Sequence, residues 1–245
     1  MTATEEQTPV ALVTGAARGL GREVCRQLAD RGLRVLLAAR DRAAADEAAT
    51  DLGGGVRPLP VALDVTDPGS VAAAAATISR DPGRLDVLVN NAAAFVDWSE
   101  TASGADLDRA REVLETNLLG TWRVTQALLP LLSASPAPRV VNVSSGAGSH
   151  GDDAFGLRAR DGRAASYGVS KAALNALTAT LATELAGTPV LVNAVCPGLT
   201  ATYPGAEAMG ARPVEESARG VVWAATLPDD GPRGGFFRDG RPLPW

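Results

Sequence analysis

Short apolar runs alternate with longer helical patterns along the whole 245-residue chain. Short apolar runs are typical of buried strands, and their alternation with helices predicts βαβ units around a parallel sheet. No linker or internal repeat divides the sequence, so we predict one α/β domain over residues 1–245, a doubly wound parallel sheet with helices on both faces. The predicted strands are 10–14, 34–38, 56–62, 85–90, 139–144, 190–195 and 235–237, and the predicted helices are 20–30, 43–52, 71–80, 107–132, 166–185 and 213–226.

Composition removes several classes of function. The chain is 46% hydrophobic and 21% charged with a formal net charge of -5, which allows a sizeable core and argues against a nucleic-acid partner. No apolar run approaches a membrane span, and the polar N-terminus lacks the pattern of a secretory signal. Cys25 and Cys196 are interpreted as reduced core residues, so we expect a cytoplasmic protein. We expect no metal site, because Asp152 and Asp153 lack a cluster of hard ligands and are interpreted as a solvated turn.

The first predicted strand runs into a glycine-rich turn at 14–21 and then into a helix. Gly15, Gly19 and Gly21 would let the backbone turn tightly and approach a pyrophosphate, which the free N–H groups of the helix N-terminus would bind. The glycine spacing alone is a weak signal, since glycines also form plain loops. Its position between the first strand and the first helix favours a dinucleotide phosphate site.

The end of the second predicted strand indicates which dinucleotide is bound. An acidic residue at this place usually binds the ribose 2′-hydroxyl of NAD, but this chain has Ala39 followed by Arg40. Arg18 in the glycine turn could reach the same place, and two guanidinium groups without a carboxylate suit the 2′-phosphate of NADP. The nearby Asp41 argues the other way, and both arginines could be ordinary surface residues. We predict NADP(H), held in part by Arg18 and Arg40.

Tyr167 and Lys171 form the candidate catalytic pair. Four positions separate them, so both side chains would lie on one face of a helix. Lys171 is the single lysine beside 22 arginines, and a nearby ammonium would lower the high pKa of a tyrosine and make it useful in acid–base catalysis. A chance placement of the two residues is the alternative.

These motifs resemble the short-chain dehydrogenase/reductase family, with its Rossmann-type sheet, over essentially the whole chain. The resemblance implies that Tyr167 is the proton donor in reduction and that Ser145 hydrogen-bonds the substrate oxygen. It implies that Lys171 lowers the pKa of the tyrosine and holds the nicotinamide ribose, and that Asn117 supports a water and proton relay. The segments that carry it are 14–21, Asp64-Val65, Asn90-Asn91-Ala92-Ala93, Asn117, Ser144-Ser145, 166–171 and Pro197-Gly198.

The resemblance also implies cofactor contacts beyond the glycine turn. Asp64 and Val65 would contact the adenine, Asn90 would lie near the ribose, and Thr202 matches a residue that contacts the carboxamide. The other implied cofactor residues are Leu20, Asn91, Ala92, Pro197, Gly198 and Thr200, together with Tyr167 and Lys171.

The chain departs from the family pattern in three places. Ala93 replaces a usual glycine, and Thr200 stands where the family often has valine. Tyr167 follows Ser145 by 22 positions, so an insertion lies within 146–165, as in carbonyl-reductase-like members. We predict that this insertion is a mobile lid over the substrate, that it can be shortened without loss of the fold, and that it weakens the usual tetramer to a dimer or monomer. A surface excursion without a role is the alternative.

The predicted function is NADP(H)-dependent hydride transfer between nicotinamide and a carbonyl or alcohol carbon, as in a carbonyl reductase or ketoreductase. Alternatives are a non-catalytic NADP(H)-binding sensor or scaffold, and an epimerase or dehydratase that uses the same cofactor. The substrate is a small carbonyl or alcohol compound that the sequence does not identify. The predicted pocket residues are Phe95, Trp98, His150, Phe155 and Tyr203, for which ordinary packing or solvation is the alternative.

Overall fold

The computed structural model describes residues 8–59, 62–202 and 205–245. Its strands are β1 (Val10–Val13), β2 (Arg34–Leu37), β3 (Val56–Pro58), β4 (Val87–Asn90), β5 (Arg139–Val143), β6 (Leu191–Val195), β7 (Phe236–Arg238) and β8 (Arg241–Pro242). The α-helices are α1 (Gly19–Asp30), α2 (Arg42–Leu52), α3 (Pro68–Arg80), α4 (Leu107–Leu114), α5 (Thr121–Ser133), α6 (Ala165–Glu184) and α7 (Val214–Ala225).

The strands form one sheet in the order β3-β2-β1-β4-β5-β6-β7-β8. All neighbouring pairs are parallel except β7 and β8, which are antiparallel. This confirms the predicted doubly wound, single-domain α/β fold. The chain moves outward from β1 to β3 and then crosses back to β4, so the strand order reverses between β1 and β4. A crevice opens at such a point, outside the carboxyl ends of the strands.

Two apolar clusters cover the two faces of the sheet. In β1, Ala11 and Val13 pack into one cluster while Val10 and Leu12 pack into the other, because successive strand residues point to opposite faces. Helices α1, α2 and α7 cover the first face, and α3, α5 and α6 cover the second. The helices therefore fix the sheet from both sides and leave its carboxyl edge for the loops.

The structure differs from the predicted elements at a few places. The predicted strand 56–62 ends at Pro58, and part of its remainder lies outside the described residues. The predicted helix 107–132 is three pieces, because a π-helical stretch, Glu115–Gly120, separates α4 from α5. Helix α3 begins earlier than predicted, since Pro68 suits the first turn and the Asp67 side chain accepts from the Gly69 amide. The sequence analysis missed β8, a two-residue strand.

Within the described ranges, no helix has the length and apolar character needed to cross a membrane.

Candidate active site

The glycine turn after β1 forms a cradle in which side chains would not fit. Gly15 has a φ of +62°, and a Cβ there would lie 2.8 Å from the Cα of Ala92. A Cβ on Gly21 would lie 2.5 Å from the amide nitrogen of the Asn91 side chain and 2.8 Å from the Gly15 carbonyl oxygen. Helix α1 begins at Gly19 without a side-chain cap on its first N–H groups. An uncapped helix start behind a narrow glycine turn fits a dinucleotide pyrophosphate.

The start of the segment after β4 holds this turn in place. The Thr14 hydroxyl accepts hydrogen bonds from the amides of Asn91 and Ala92, each at 3.0 Å. The Asn91 side chain donates to the carbonyls of Thr14 and Gly15 at 2.9 and 3.1 Å. Asn91 and Ala92 thus lie against the turn, as their predicted place requires, and they shape it through hydrogen bonds.

Asn90 lies deeper than its predicted place near the cofactor suggests. It is 3% exposed and donates to the side chains of Thr125 and Asn142 at 3.1 and 2.9 Å, behind the edge of the sheet. Its Oδ1 atom has no hydrogen-bond partner among the described residues. The geometry therefore gives Asn90 a place in the buried polar network between sheet and helices, and its contact with the ribose remains a prediction.

The two arginines predicted to bind the 2′-phosphate are exposed at the end of the crevice. Neither Arg18 nor Arg40 forms a salt bridge within the described parts of the chain. The carboxylate of Asp41 accepts from the amides of Ala43 and Ala44 and caps α2. Asp41 therefore has a structural role through its Oδ1 atom, and the choice between NADP and NAD stays a prediction.

Asp64 and Val65 border the same end of the crevice. Burial opposes ionisation of Asp64, but hydrogen bonds from the amide and hydroxyl of Thr66 outweigh it, and with the charge of Arg40 they lower its pKa. A groove of about 520 Å³ borders Arg40 and Thr66 and extends to Ala94. This groove lies where the resemblance puts the adenosine end of the cofactor.

The four predicted catalytic residues converge at the carboxyl end of β5. Ser145 follows β5, its side chain accepts from the Ala147 amide at 3.2 Å, and it lies close enough to Tyr167 to act on the pKa of the tyrosine. Tyr167 and Lys171 lie one turn apart on α6, are 6% and 2% exposed, and place the Lys171 Nζ atom 5.7 Å from the centroid of the tyrosine ring. Asn117 lies in the π-helical stretch, and its side chain donates to the Ser170 hydroxyl at 3.0 Å. The partly buried Ser145 and the buried Tyr167 and Lys171 thus lie together at this edge of the sheet.

The pKa of Tyr167 is raised, which corrects the expectation from the spacing. Burial is the dominant cause, and the nearby Ser145 side chain opposes it only in part. The Lys171 ammonium lies over the ring and donates to the Val143 carbonyl at 2.9 Å. Burial also lowers the pKa of Lys171, to about 8. Tyr167 is therefore protonated at neutral pH, as an ordinary tyrosine is, and burial by itself does not make it a stronger acid.

Two of the predicted pocket residues contact Tyr167 directly. The Phe95 ring is stacked on Tyr167 with centroids 5.2 Å apart, and Trp98 meets the same ring edge-on at 5.8 Å. Phe95 and Trp98 are themselves 57% and 42% exposed. The sequence analysis missed Glu100, which accepts hydrogen bonds from the residue before the tyrosine; no local spacing links two residues 66 positions apart.

The insertion contains the clearest correction. Asp152 is buried rather than solvated, because it pairs with Arg238 of β7 and accepts from the amides of Ala154 and Phe155. Burial opposes ionisation of Asp152, but these hydrogen bonds outweigh it and its pKa is lowered. The Ser149 hydroxyl donates to the Pro244 carbonyl at 2.6 Å. The first half of the insertion is thus anchored to β7 and to the residues after β8. This is contrary to the expectation of a mobile lid.

The remaining predicted pocket residues have different surroundings. The guanidinium of Arg238 lies 5.6 Å from the ring centroid of Phe155. His150 is exposed, and its backbone amide donates to the Trp245 carbonyl at 2.8 Å. Tyr203 lies outside the described residues.

The segment after β6 returns to the glycine turn. Gly198 has a φ of +77°, and Arg212 donates to the Pro197 carbonyl beside it. Thr200 donates to the Ser217 hydroxyl at 2.9 Å. The Thr202 methyl group would lie 3.3 Å from a Cβ on Gly19. Of the predicted cofactor residues in this segment, Thr202 is thus the one placed directly against the phosphate turn.

Two further predictions concern Leu20 and Cys196. Leu20 is partly buried against the apolar cluster on the α1 face of the sheet. Cys196 is buried, and its sulfur accepts from the amides of Gly146 and Gly198, which agrees with a packing role. Among the described residues, no three His, Cys, Asp or Glu side chains come together as a metal site.

Known proteins share this fold over nearly the whole of this chain. A family profile described as short chain dehydrogenase matches residues 9–209. Short-chain dehydrogenase/reductase 1 of Saponaria officinalis is 35% identical over 287 aligned positions, covering 94% of each chain. (-)-Isopiperitenone reductase of Mentha piperita is 34% identical over 93% of this chain and 95% of its own. The structure of salutaridine reductase from Papaver somniferum matches with a TM-score of 0.76 at 31% identity, covering 94% of this chain and 99% of that one. This chain therefore belongs to the short-chain dehydrogenase/reductase family, oxidoreductases that transfer a hydride with a nicotinamide cofactor.

Proposed function

We propose that this protein is an NADP(H)-dependent carbonyl reductase. The observation that carries the proposal is that Ser145, Tyr167 and Lys171 lie together at the same edge of the sheet as the glycine cradle. Two relatives, named for the reduction of isopiperitenone and of salutaridine, support reduction as the direction. The exposed rings of Phe95 and Trp98 beside the tyrosine favour an apolar substrate.

The cofactor fits the residues that are present. The cradle at Gly15, Gly19 and Gly21 would take the pyrophosphate, and Arg18 and Arg40 would take the 2′-phosphate. Lys171 would hold the nicotinamide ribose. When bound, NADPH supplies the hydride.

The protein's own groups would carry the proton. Tyr167 is protonated at neutral pH, as a tyrosine ordinarily is, so its hydroxyl can donate a proton to the carbonyl oxygen as that oxygen gains negative charge. Ser145 would donate a second hydrogen bond to the same oxygen. Asn117 donates to Ser170, one position before Lys171. This contact would hold Lys171 and Asn117 together for the proposed water and proton relay.

The insertion within 146–165 has a proposed role as one wall of the substrate pocket. Its anchor at Asp152 and Arg238 supports a fixed wall in its first half. We keep the prediction that the protein is a dimer or monomer and not a tetramer; light scattering of the intact protein tests it, and a stable tetramer contradicts it. The cytoplasm remains the predicted location.

The function is tested by an NADPH-oxidation screen over ketones, aldehydes and quinones of graded size. A carbonyl reductase consumes one NADPH per alcohol formed, so the product is quantified beside the cofactor. An epimerase or dehydratase would convert its substrate without net NADPH consumption. A sensor or scaffold would bind NADPH and turn over none of the compounds, and either result contradicts the proposal.

A further inference from the structure

The segment 94–101 passes over the catalytic tyrosine and is fastened near both of its ends. Near the start, the Asn117 side chain accepts from the Ala94 amide at 2.7 Å and donates to the Ala94 carbonyl at 3.0 Å. Near the other end, the Oε2 atom of Glu100 accepts from the amide and the hydroxyl of Ser166 at 2.8 and 2.7 Å. Thr101 forms an isolated bridge with Arg163 beside it.

The start of α6 depends on this outside partner. A helix usually satisfies its first N–H groups with the side chain of its own N-cap residue. Here the N-cap is Ala164, which has no side-chain acceptor and adopts a left-handed backbone with φ of +53°. Glu100 supplies the missing acceptor, and its negative charge suits the positive end of the helix. The residue after its partner Ser166 is Tyr167.

We infer that Glu100 is a positioning residue, which holds the first turn of α6 and thereby the Tyr167 hydroxyl at the substrate. The inference rests on the proposed function, in which Tyr167 donates the proton. Glu100 touches neither the tyrosine hydroxyl nor Ser145 in the described contacts, so it acts through Ser166. The same contact fastens the segment 94–101 near its end. This segment carries Phe95 and Trp98, whose rings pack on the tyrosine ring.

Loss of the hydrogen bonds between Glu100 and Ser166, which we call the clamp, should affect turnover and not cofactor binding. The first turn of α6 would lose its acceptor, so Tyr167 would no longer keep a fixed distance to Ser145. A displacement of about an ångström at a reacting group can cost on the order of a hundredfold in rate. The glycine cradle is held by Thr14 and Asn91 instead, so NADPH binding should not change.

The test compares Glu100→Ala and Glu100→Gln with a control, Asp106→Ala. Asp106 caps α4 by accepting from the amides of Asp108 and Arg109, so its loss also removes two hydrogen bonds at a helix start, but not at the start of α6. Glu100→Ala should lower kcat by at least about tenfold, with the Kd for NADPH, measured by fluorescence titration, within about twofold. Glu100→Gln keeps an acceptor and should retain kcat within about threefold.

Hydrogen exchange of the peptide that contains Ser166 provides a readout independent of turnover. Its amide protection should fall in Glu100→Ala and stay in Glu100→Gln and Asp106→Ala. Retained protection in Glu100→Ala overturns the inference, and so does an equal loss of kcat in Glu100→Ala and Asp106→Ala. Ser166→Ala keeps the backbone donor and gives a milder variant, of about threefold, if Glu100→Ala folds poorly. Full turnover in Tyr167→Phe would instead refute the proposed function, a result that the exchange data distinguish from failure of the clamp.

Discussion

The turn at 14–21 and the segment 94–101 border the same edge of the sheet but are held in different ways. The turn is fixed by Gly15 and Gly21, where a Cβ would have no room, and by Asn91 in the segment after β4. The segment is fixed by side chains from distant elements, Asn117 and Ser166. The cofactor side is thus built from backbone shape and the substrate side from replaceable side-chain contacts. One edge can therefore keep one cofactor while the substrate pocket changes.

Among the variants that test whether the cofactor side and the substrate side are separate, Tyr167→Phe should have the largest effect. General acid catalysis by a placed side chain contributes about 10²–10⁴-fold, so we expect kcat to fall by roughly that factor. The Kd for NADPH should stay within about twofold, because the hydroxyl acts on the substrate. Steady-state kinetics and fluorescence titration measure the two quantities. A matching loss of cofactor affinity would show that the two sides of the site are not separable.

A smaller effect is expected from the arginines at the cofactor side. Arg18→Ala and Arg40→Ala should each weaken NADPH binding by about tenfold and leave NADH binding unchanged, because charge-assisted hydrogen bonds to the 2′-phosphate are lost. Arg80→Ala is the control for loss of one positive charge, because Arg80 lies at the C-terminal end of α3. Equal affinity of the wild-type protein for NADPH and NADH by titration would contradict this prediction.

On the substrate side, Asp152→Asn should destabilise the protein by about 1–3 kcal/mol, since it leaves Arg238 without its carboxylate. The KM for the substrate should rise more than the KM for NADPH. The pKa of Asp152 is lowered in the folded state, so its contribution is present above its unfolded pKa, about 3.9, and is lost as the pH falls through the folded value.

Urea unfolding near pH 7 and below pH 4 measures this difference, and the exposed neighbour Asp153→Asn serves as the control. Equal stabilities of the two variants near pH 7 would count against an anchored insertion. The earlier expectation that residues can be deleted here without loss of the fold also changes, since a deletion that includes Asp152 removes the partner of Arg238.

The smallest effect concerns Lys171, whose pKa burial lowers from 10.5 to about 8. The unfolded chain binds the proton more tightly, so the contribution of Lys171 to stability should rise as pH increases from about 8 to 10.5. Relative to Lys171→Met, wild-type stability should increase by about 1 kcal/mol between pH 7 and pH 9. A difference that is flat with pH in urea unfolding would show that the ammonium is not desolvated.

The sequence was sufficient for what depends on local spacing. The glycine turn, the Tyr167–Lys171 pair and the strand ends that carry Asn91 and Ser145 could all be predicted, because a parallel sheet brings carboxyl ends to one edge. Two contacts could not be predicted, because 66 and 86 positions separate the partners: Glu100 with Ser166, and Asp152 with Arg238. The pKa direction of Tyr167 was also out of reach, because it depends on how deeply the ring is buried.

The π-helical stretch Glu115–Gly120 makes the register of one long helix part of the active site. A π-turn contains an extra residue relative to an α-turn, so deletion of one residue there would let α4 and α5 join as a regular helix. Everything on α4 would then rotate by about 100° relative to α5, and Asn117 would leave Ala94. A sequence comparison that treats a one-residue gap at this place as neutral would therefore pair proteins that place Asn117, a predicted catalytic residue, differently, although their folds superimpose.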